Sequence, residues 1–292
     1  MTENHTPPSE LPSVGLGTFR TGGYECFDAV RDALDAGYRH IDTAMAYENE
    51  AVVGRAIEAS PTDREDVFLT TKIKGYPEFL NYDRVLEATR KCLTRLGTDH
   101  VDLLLIHWWN PKGDMEQTFA ALDRLVDEGA VDRVGVSNFS VDQLQRAMDV
   151  SETPIFTNQI EYHPYWKQEE LLEFCQENDI VLTAYSPLGE GELVDDEVLA
   201  AIGARYGKSP AQVAIRWLIQ QDNVVTIPKS VTPAHTRENI DVFDFELSER
   251  EMQRIAELEG PFWYRQNREG GHFYRARGIV GPLIPEPVLS KL

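Results

Sequence analysis

The chain has 292 residues, and its 49 Asp plus Glu against 28 Lys plus Arg give a formal net charge of −21. So acidic a surface repels phosphate backbones and anionic lipid, which argues against nucleic acid and membranes as partners. No apolar run reaches the roughly 18 residues of a membrane span, and Met1–His5 has neither a basic nor an apolar leader segment, so a cytoplasmic protein is expected.

Short apolar runs alternate with amphipathic stretches along most of the chain. A strand over Val14–Thr18 precedes a helix over Tyr24–Ala36, and a strand over His40–Ala44 is followed by Asn49-Glu50, which reads as the start of a helix with an acid in its first turn. The strand Val67–Lys72 leads to the helix Asn81–Leu96, Val101–His107 to Gln117–Asp127, and Arg133–Asn138 to Val141–Asp149. Then come the strand Phe156–Glu161, the helix Lys167–Glu177, the strand Val181–Ser186, the helix Pro210–Gln220 and the strand Val224–Lys229. Gly37, Gly97 and Gly129 stand where helix C-caps are expected, and Ser209-Pro210 suits a helix start.

Eight strands alternating with helices imply right-handed crossovers and a parallel sheet. Over this length they favour closure into a (β/α)8 TIM barrel of the α/β class. We expect a single domain over residues 1–292, with the barrel spanning about 14–258 and an irregular Gly/Pro/aromatic tail over 260–292. Gly15-Leu16-Gly17 lacks the third glycine of a dinucleotide-binding loop, so an open Rossmann sheet has no signature here.

Barrel active sites lie at the C-terminal ends of the strands. Three consecutive predicted strands deliver Asp42, Lys72 and His107 to that rim, and Tyr47 follows in the next loop. Reduction of a carbonyl by hydride needs a proton for the oxygen. A phenol with an ordinary pKa near 10 is a poor acid at neutral pH unless a cation stabilises its phenolate. Lys72 can supply that charge, Asp42 can hold the lysine, and His107 can hydrogen-bond and orient the carbonyl oxygen. A lysine at a barrel strand end also suits Schiff-base aldolase chemistry, which leaves that alternative open.

Seven segments, in order, resemble the aldo-keto reductase family: Ile41–Glu50, Leu69–Lys72, Leu105–Trp108, Gly135–Phe139, Asn158–Pro164, Ala184–Gly189 and Ile227–Ser230. The likeness runs from about Val14 to Leu258 and is nearest the microbial members, the keto-acid, keto-sugar and general aldehyde reductases. It implies reduction of an aldehyde or ketone to an alcohol, with the cofactor binding first. Tyr47 is then the proton donor, Lys72 and Asp42 its tuning pair, and His107 the orienting residue. The cofactor residues implied are Gly17, Thr18, Asp42, Ser137, Asn138, Gln159, Tyr185, Ser186 and Leu188, with Lys229, Ser230, His235, Glu238 and Asn239 towards the adenosine end. Phe19, Trp108 and Lys74 would line the substrate pocket, Lys74 near a position where the family often has an aromatic, and the tail would shape specificity. Trp109 is the other candidate for that lining, but at most one of the two adjoining tryptophans can face the pocket if the strand continues, and the resemblance favours Trp108.

The resemblance favours NADPH with NADH possible. The preference is expected to be weak because His235 stands where the family commonly carries an arginine. The partner is a small carbonyl compound, no metal is implied, and a monomer or weak homodimer is expected. A cofactor-binding regulatory module without turnover is the alternative from outside enzymology. His163 in Tyr162-His163-Pro164 reads as structural, Trp166 and Trp217 as packing residues, and the acids of Glu246–Glu259 as a solvated helix face. Cys26, Cys92 and Cys175 are too sparse for a disulfide framework or zinc and read as reduced thiols. Only 8 of the 28 basic residues are lysine. A dense carboxylate surface that avoids lysine suits high salt, where screening relieves self-repulsion.

Overall fold

The computed structural model describes residues 11–261; the tail expected to shape specificity, Phe262–Leu292, lies outside them. In chain order the elements are β1 (Leu16–Gly17), α1 (Gly23–Asp35), β2 (His40–Asp42), α2 (Glu50–Glu58), β3 (Phe68–Ile73) and α3 (Tyr82–Leu96). Then follow β4 (Val101–Ile106), α4 (Met115–Asp127), β5 (Val131–Ser137), α5 (Val141–Val150), β6 (Ile155–Glu161) and α6 (Glu169–Glu177). The chain continues through β7 (Val181–Tyr185), α7 (Glu197–Tyr206), α8 (Pro210–Ile219), β8 (Val224–Thr226), α9 (Pro233–Ile240) and α10 (Glu249–Ala256).

The strands form one parallel sheet in the order β1 to β8. It closes on itself: Val14 bridges Thr226, and the Gly15 and Gly17 amides donate to the Thr226 and Pro228 carbonyls at 2.8 and 3.1 Å. Glycine is needed at this seam, since a Cβ on Gly17 would stand 2.8 Å from the Ile227 carbonyl oxygen. The result is the (β/α)8 barrel anticipated above.

Several helices begin and end as their sequences dictate. Ser140 and Ser209 each form a capping box with the glutamine three residues on. Gly37, Gly97 and Gly129 all take positive φ, at 99°, 72° and 70°. The outward faces of the strands, among them Ile41, Leu69, Leu104, Ile160 and Leu182, join the apolar stripes of the helices in one continuous core.

The structure departs from expectation at the two seam strands. The first shrinks from Val14–Thr18 to Leu16–Gly17, and the last stops at Thr226, because Pro228 has no amide to extend the ladder. The helix α9 has no apolar period in its sequence, PAHTRENI, to mark its bounds. The Glu246–Glu259 stretch is not wholly solvated either, for Glu251 is buried and bound by Arg205, Tyr206 and Ser248. Trp217 packs in the core against Tyr162, whereas Trp166 is only half-buried in a turn bridged to His163. The three cysteines are buried free thiols on α1, α3 and α6.

Inside the barrel, alternate residues face inward. Leu11, Phe68, Leu103, Leu105, Val181 and Val225 form a small apolar cluster of their own there. Polar residues share the interior, with His40 hydrogen-bonded to Thr70 at 3.2 Å and Thr157 to Thr183 at 2.8 Å. Burial is the main cause that pulls His40 down to about 4, helped by the charge of Lys72 and opposed by Asp42, Asp102 and the Pro12 carbonyl. The folded chain therefore keeps this imidazole neutral between pH 4 and 6.5, where the unfolded chain takes up a proton. The difference favours unfolding progressively as pH falls through that window, by at most about 3 kcal/mol. Urea unfolding from pH 7 to pH 4 checks this: the stability gap between the wild type and His40→Asn should narrow as the pH falls, and a constant gap would reject it.

Candidate active site

The polar interior culminates at the C-terminal rim. The inward phase that runs through His40, Thr70 and Leu105 reaches Asp42 on β2, Lys72 on β3 and His107 just after β4. On the far wall it reaches Ser137, Gln159 and Tyr185 on β5, β6 and β7. Ser137 pairs in register with Gln159, and Lys72 with Leu105. Tyr47 comes from a 3-10 turn, Met45–Tyr47, that folds back over the mouth after β2.

Lys72 and Asp42 form an ion pair at 2.5 Å, with side chains 0% and 1% exposed. The ammonium also donates to the Thr43 carbonyl at 2.8 Å and lies 3.5 Å from the Tyr47 hydroxyl. The second carboxylate oxygen of Asp42 accepts from Gln159 at 2.7 Å. Burial pulls Lys72 below its ordinary value, while Asp42 and, from behind the strand, Glu50 oppose that shift. Glu50 is itself fixed by the Thr71 hydroxyl at 2.6 Å and by Arg95.

His107 is driven well below its ordinary value, first by burial and then by the charges of Lys72 and Lys74. It is therefore a neutral imidazole, able to donate one hydrogen bond without carrying a charge. Its ring meets that of Tyr47 edge-on, centroids 5.6 Å apart. Across the mouth, Asn138 is held in the left-handed region at φ 60° by three contacts. Its amide nitrogen donates to the His107 carbonyl and to Ser137 Oγ, both at 3.0 Å, and its oxygen accepts from the Tyr185 hydroxyl at 2.8 Å.

These groups open on a cavity of about 580 Å³. An acid-tuning lysine, a phenol, a neutral imidazole and an amide-rich wall can together protonate a carbonyl oxygen and hold a planar amide-bearing ring beside it. The family model for the aldo/keto reductase family matches residues 13–259. The chain belongs to that family. Its members are oxidoreductases that reduce aldehydes and ketones with nicotinamide cofactors. An aldo-keto reductase of Mycolicibacterium smegmatis is 45% identical over 252 residues, covering 86% of this chain and 90% of that protein. The glyoxal reductase of Bacillus subtilis is 43% identical, covering 85% and 89%. The crystal structure of an aldo/keto reductase from Brucella melitensis superposes with a TM-score of 0.79 at 43% identity, covering 85% and 94%.

Most residues expected in this aldo/keto reductase site do meet there. Gly17, Phe19, Asp42, Tyr47, Lys74, His107 and Trp108 line the cavity, as do Ser137, Asn138, Gln159, Tyr185, Ser186, Leu188 and Lys229. Lys72 lies beneath the lining, covered by its partners, and Thr18 turns its hydroxyl to the Asp42 carbonyl at 3.0 Å. Trp109 faces the core against Phe139, as anticipated. At the outer end Ser230 closes a turn onto Thr232, while His235, Glu238 and Asn239 sit on α9 and do not reach the cavity.

Arg20, Tyr76 and Glu190 line the cavity without having been foreseen. Tyr76 packs edge-on against Trp108 with centroids 5.3 Å apart, and the glycine before it was its only local signal. His163 is buried with Nε2 3.3 Å from Glu161, consistent with a structural reading.

The Asp42–Lys72 pair generates a stability prediction. Removing one partner leaves a buried charge uncompensated, which costs about 3–5 kcal/mol. Asp42→Leu should therefore unfold at markedly lower urea, and the double variant Asp42→Leu/Lys72→Met should recover most of the loss. Equal stability of the single and double variants would count against this account.

Proposed function

We propose that the chain reduces an aldehyde or ketone to an alcohol with NAD(P)H, with Tyr47 giving the proton. The observation that carries the reading is the Tyr47 hydroxyl standing 3.5 Å from an ammonium that Asp42 holds in place, inside a cavity walled by amides. The donor set suits a nicotinamide. Gln159 uses its amide nitrogen on Asp42 and its oxygen has no side-chain partner among the described residues, Ser137 and Asn138 add a hydroxyl and a second amide, and Tyr185 offers a ring to stack on. Reduced nicotinamide, when bound, supplies the hydride that adds to the carbonyl carbon.

The chain's own task is the proton. The Tyr47 O–H bond breaks towards the carbonyl oxygen as the new C–H bond forms, and the phenolate left behind is stabilised by the Lys72 ammonium. Asp42 keeps that ammonium charged against the cost of burial. Neutral His107 donates to the same carbonyl oxygen and sets its direction. A Schiff-base aldolase is disfavoured, because the Lys72 nitrogen donates to Asp42 and Thr43 beneath the cavity lining. Tyr47→Phe should lower kcat/KM by at least about a hundredfold with cofactor binding retained. Near-wild-type turnover would reject the assignment.

At the adenosine end the reading is a modest preference for NADPH. Lys229 is exposed on the cavity edge and can meet a 2′-phosphate. His235 and Arg237 are exposed on α9, but an imidazole lacks the forked donors of a guanidinium and two positions along a helix face different ways. Steady-state kinetics with both cofactors test this: His235→Arg should raise the ratio of kcat/KM for NADPH over NADH. A wild type that clearly prefers NADH would refute it.

We further infer adaptation to high salt from the −21 charge and the scarcity of lysine. The melting temperature should rise along a potassium chloride series. A flat or falling series would exclude the adaptation.

A further inference from the structure

The lysines of this chain divide by whether an acceptor holds them. Of eight, Lys291 lies outside the described residues, and among the other seven Lys72, Lys91, Lys167 and Lys208 are each held by a carboxylate or carbonyl oxygen. Three have no such acceptor among the described residues: Lys74, Lys112 and Lys229, and two of these line the catalytic cavity. Lys229 belongs to the adenosine end. Lys74 does not. It extends the inward phase of β3 one step past Lys72, is half-buried, and stands close enough to His107 for its charge to depress the imidazole.

Arg20 adds a second cation at the same end. Its guanidinium stacks 5.3 Å from the Phe19 ring centre, and Phe19 in turn packs 5.0 Å from Tyr47. Arg20 is held in the left-handed region at φ 57°, a conformation that costs energy in a residue with a Cβ. Phe19, Tyr76 and Trp108 supply apolar wall between the two cations and the Tyr47–His107 pair. The exposed carboxylate that lines the cavity, Glu190, belongs to the turn after Leu188, on the stretch assigned above to the cofactor. In a molecule with 49 acids, two cations on the lining of this cavity point to a negative ligand.

We propose that the substrate is a carbonyl compound carrying an anionic group, a carboxylate or a phosphate, which Lys74 binds with help from Arg20. This rests on the reductase reading. A neutral carbonyl would leave the Lys74 ammonium partly desolvated against the aromatic wall, whereas an anion restores a charged partner.

The experiment compares matched aldehydes with saturating NADPH: succinic semialdehyde against butanal, and glyceraldehyde 3-phosphate against glyceraldehyde. A charge-assisted contact of this kind is worth about tenfold. We expect kcat/KM for the charged member of at least one pair to exceed that of its neutral match by about tenfold, chiefly through KM. The pair that shows the preference names the anion. Lys74→Met should bring that ratio near one, Lys74→Arg should preserve it, and Arg20→Gln should lower it by a smaller factor. Equal kcat/KM within both pairs, or a ratio that survives Lys74→Met, overturns this proposal alone. Failure to reduce any of the four aldehydes overturns the reductase reading and this proposal together.

Discussion

The ion pair between Lys72 and Asp42 is the constraint around which the mouth of the barrel is organised. Both side chains are almost wholly out of water, where each charge alone would be too costly to keep. The pair survives because both charges keep further partners: the ammonium donates to the Thr43 carbonyl and towards the Tyr47 hydroxyl, and the carboxylate accepts from Gln159. Each of those bonds fixes a group from a different part of the chain. Tyr47 is tied to β3, and Gln159 on β6 is pulled across the barrel to β2. A buried pair with so many partners adds little to stability for its own sake. Its value lies in holding a positive charge beside a phenol in a place where water would otherwise screen it.

The same low-dielectric setting separates the roles of the neighbouring groups. Burial and two lysine charges keep His107 neutral, so the site contains a hydrogen-bond donor that does not compete with Lys72 for negative charge. Glu50 reaches the pair from behind β3 and leans the balance back towards a charged lysine. The surface works to the opposite sign. Its carboxylates set a field that disfavours anions at a distance, while Lys74, Arg20 and Lys229 place three cations on the lining of the cleft. An anionic substrate, as proposed above, would be selected by short-range contacts, which bulk salt screens least.

Much of this was legible in the chain itself. Strand and helix alternation gave the barrel, because the two periods, 2 and 3.6, are local properties of the sequence. The positions of Asp42, Lys72 and His107 followed from their places at strand ends, and period 2 put them on one face. The helix α9 was harder to see, because eight residues without an apolar stripe depend on tertiary contacts such as Tyr38 donating to the Thr236 carbonyl at 3.0 Å. Glu251 likewise reads as one more surface acid until Arg205 and Tyr206 arrive from α7.

What the sequence determined alone is the alternation of strands and helices, the family and the identities of most residues that meet at the rim, since each rests on spacing along one strand or on segments contiguous in the chain. Only the tertiary structure decided which of them touch the cavity. It placed Lys72 beneath the lining and left His235, Glu238 and Asn239 apart from it, and it brought Arg20, Tyr76 and Glu190 in from loops that carry no period. Loop residues are aimed by the packing of whatever they lie against. For Arg20 that is the ring of its neighbour Phe19, whose own place is set by Tyr47 packing 5.0 Å away.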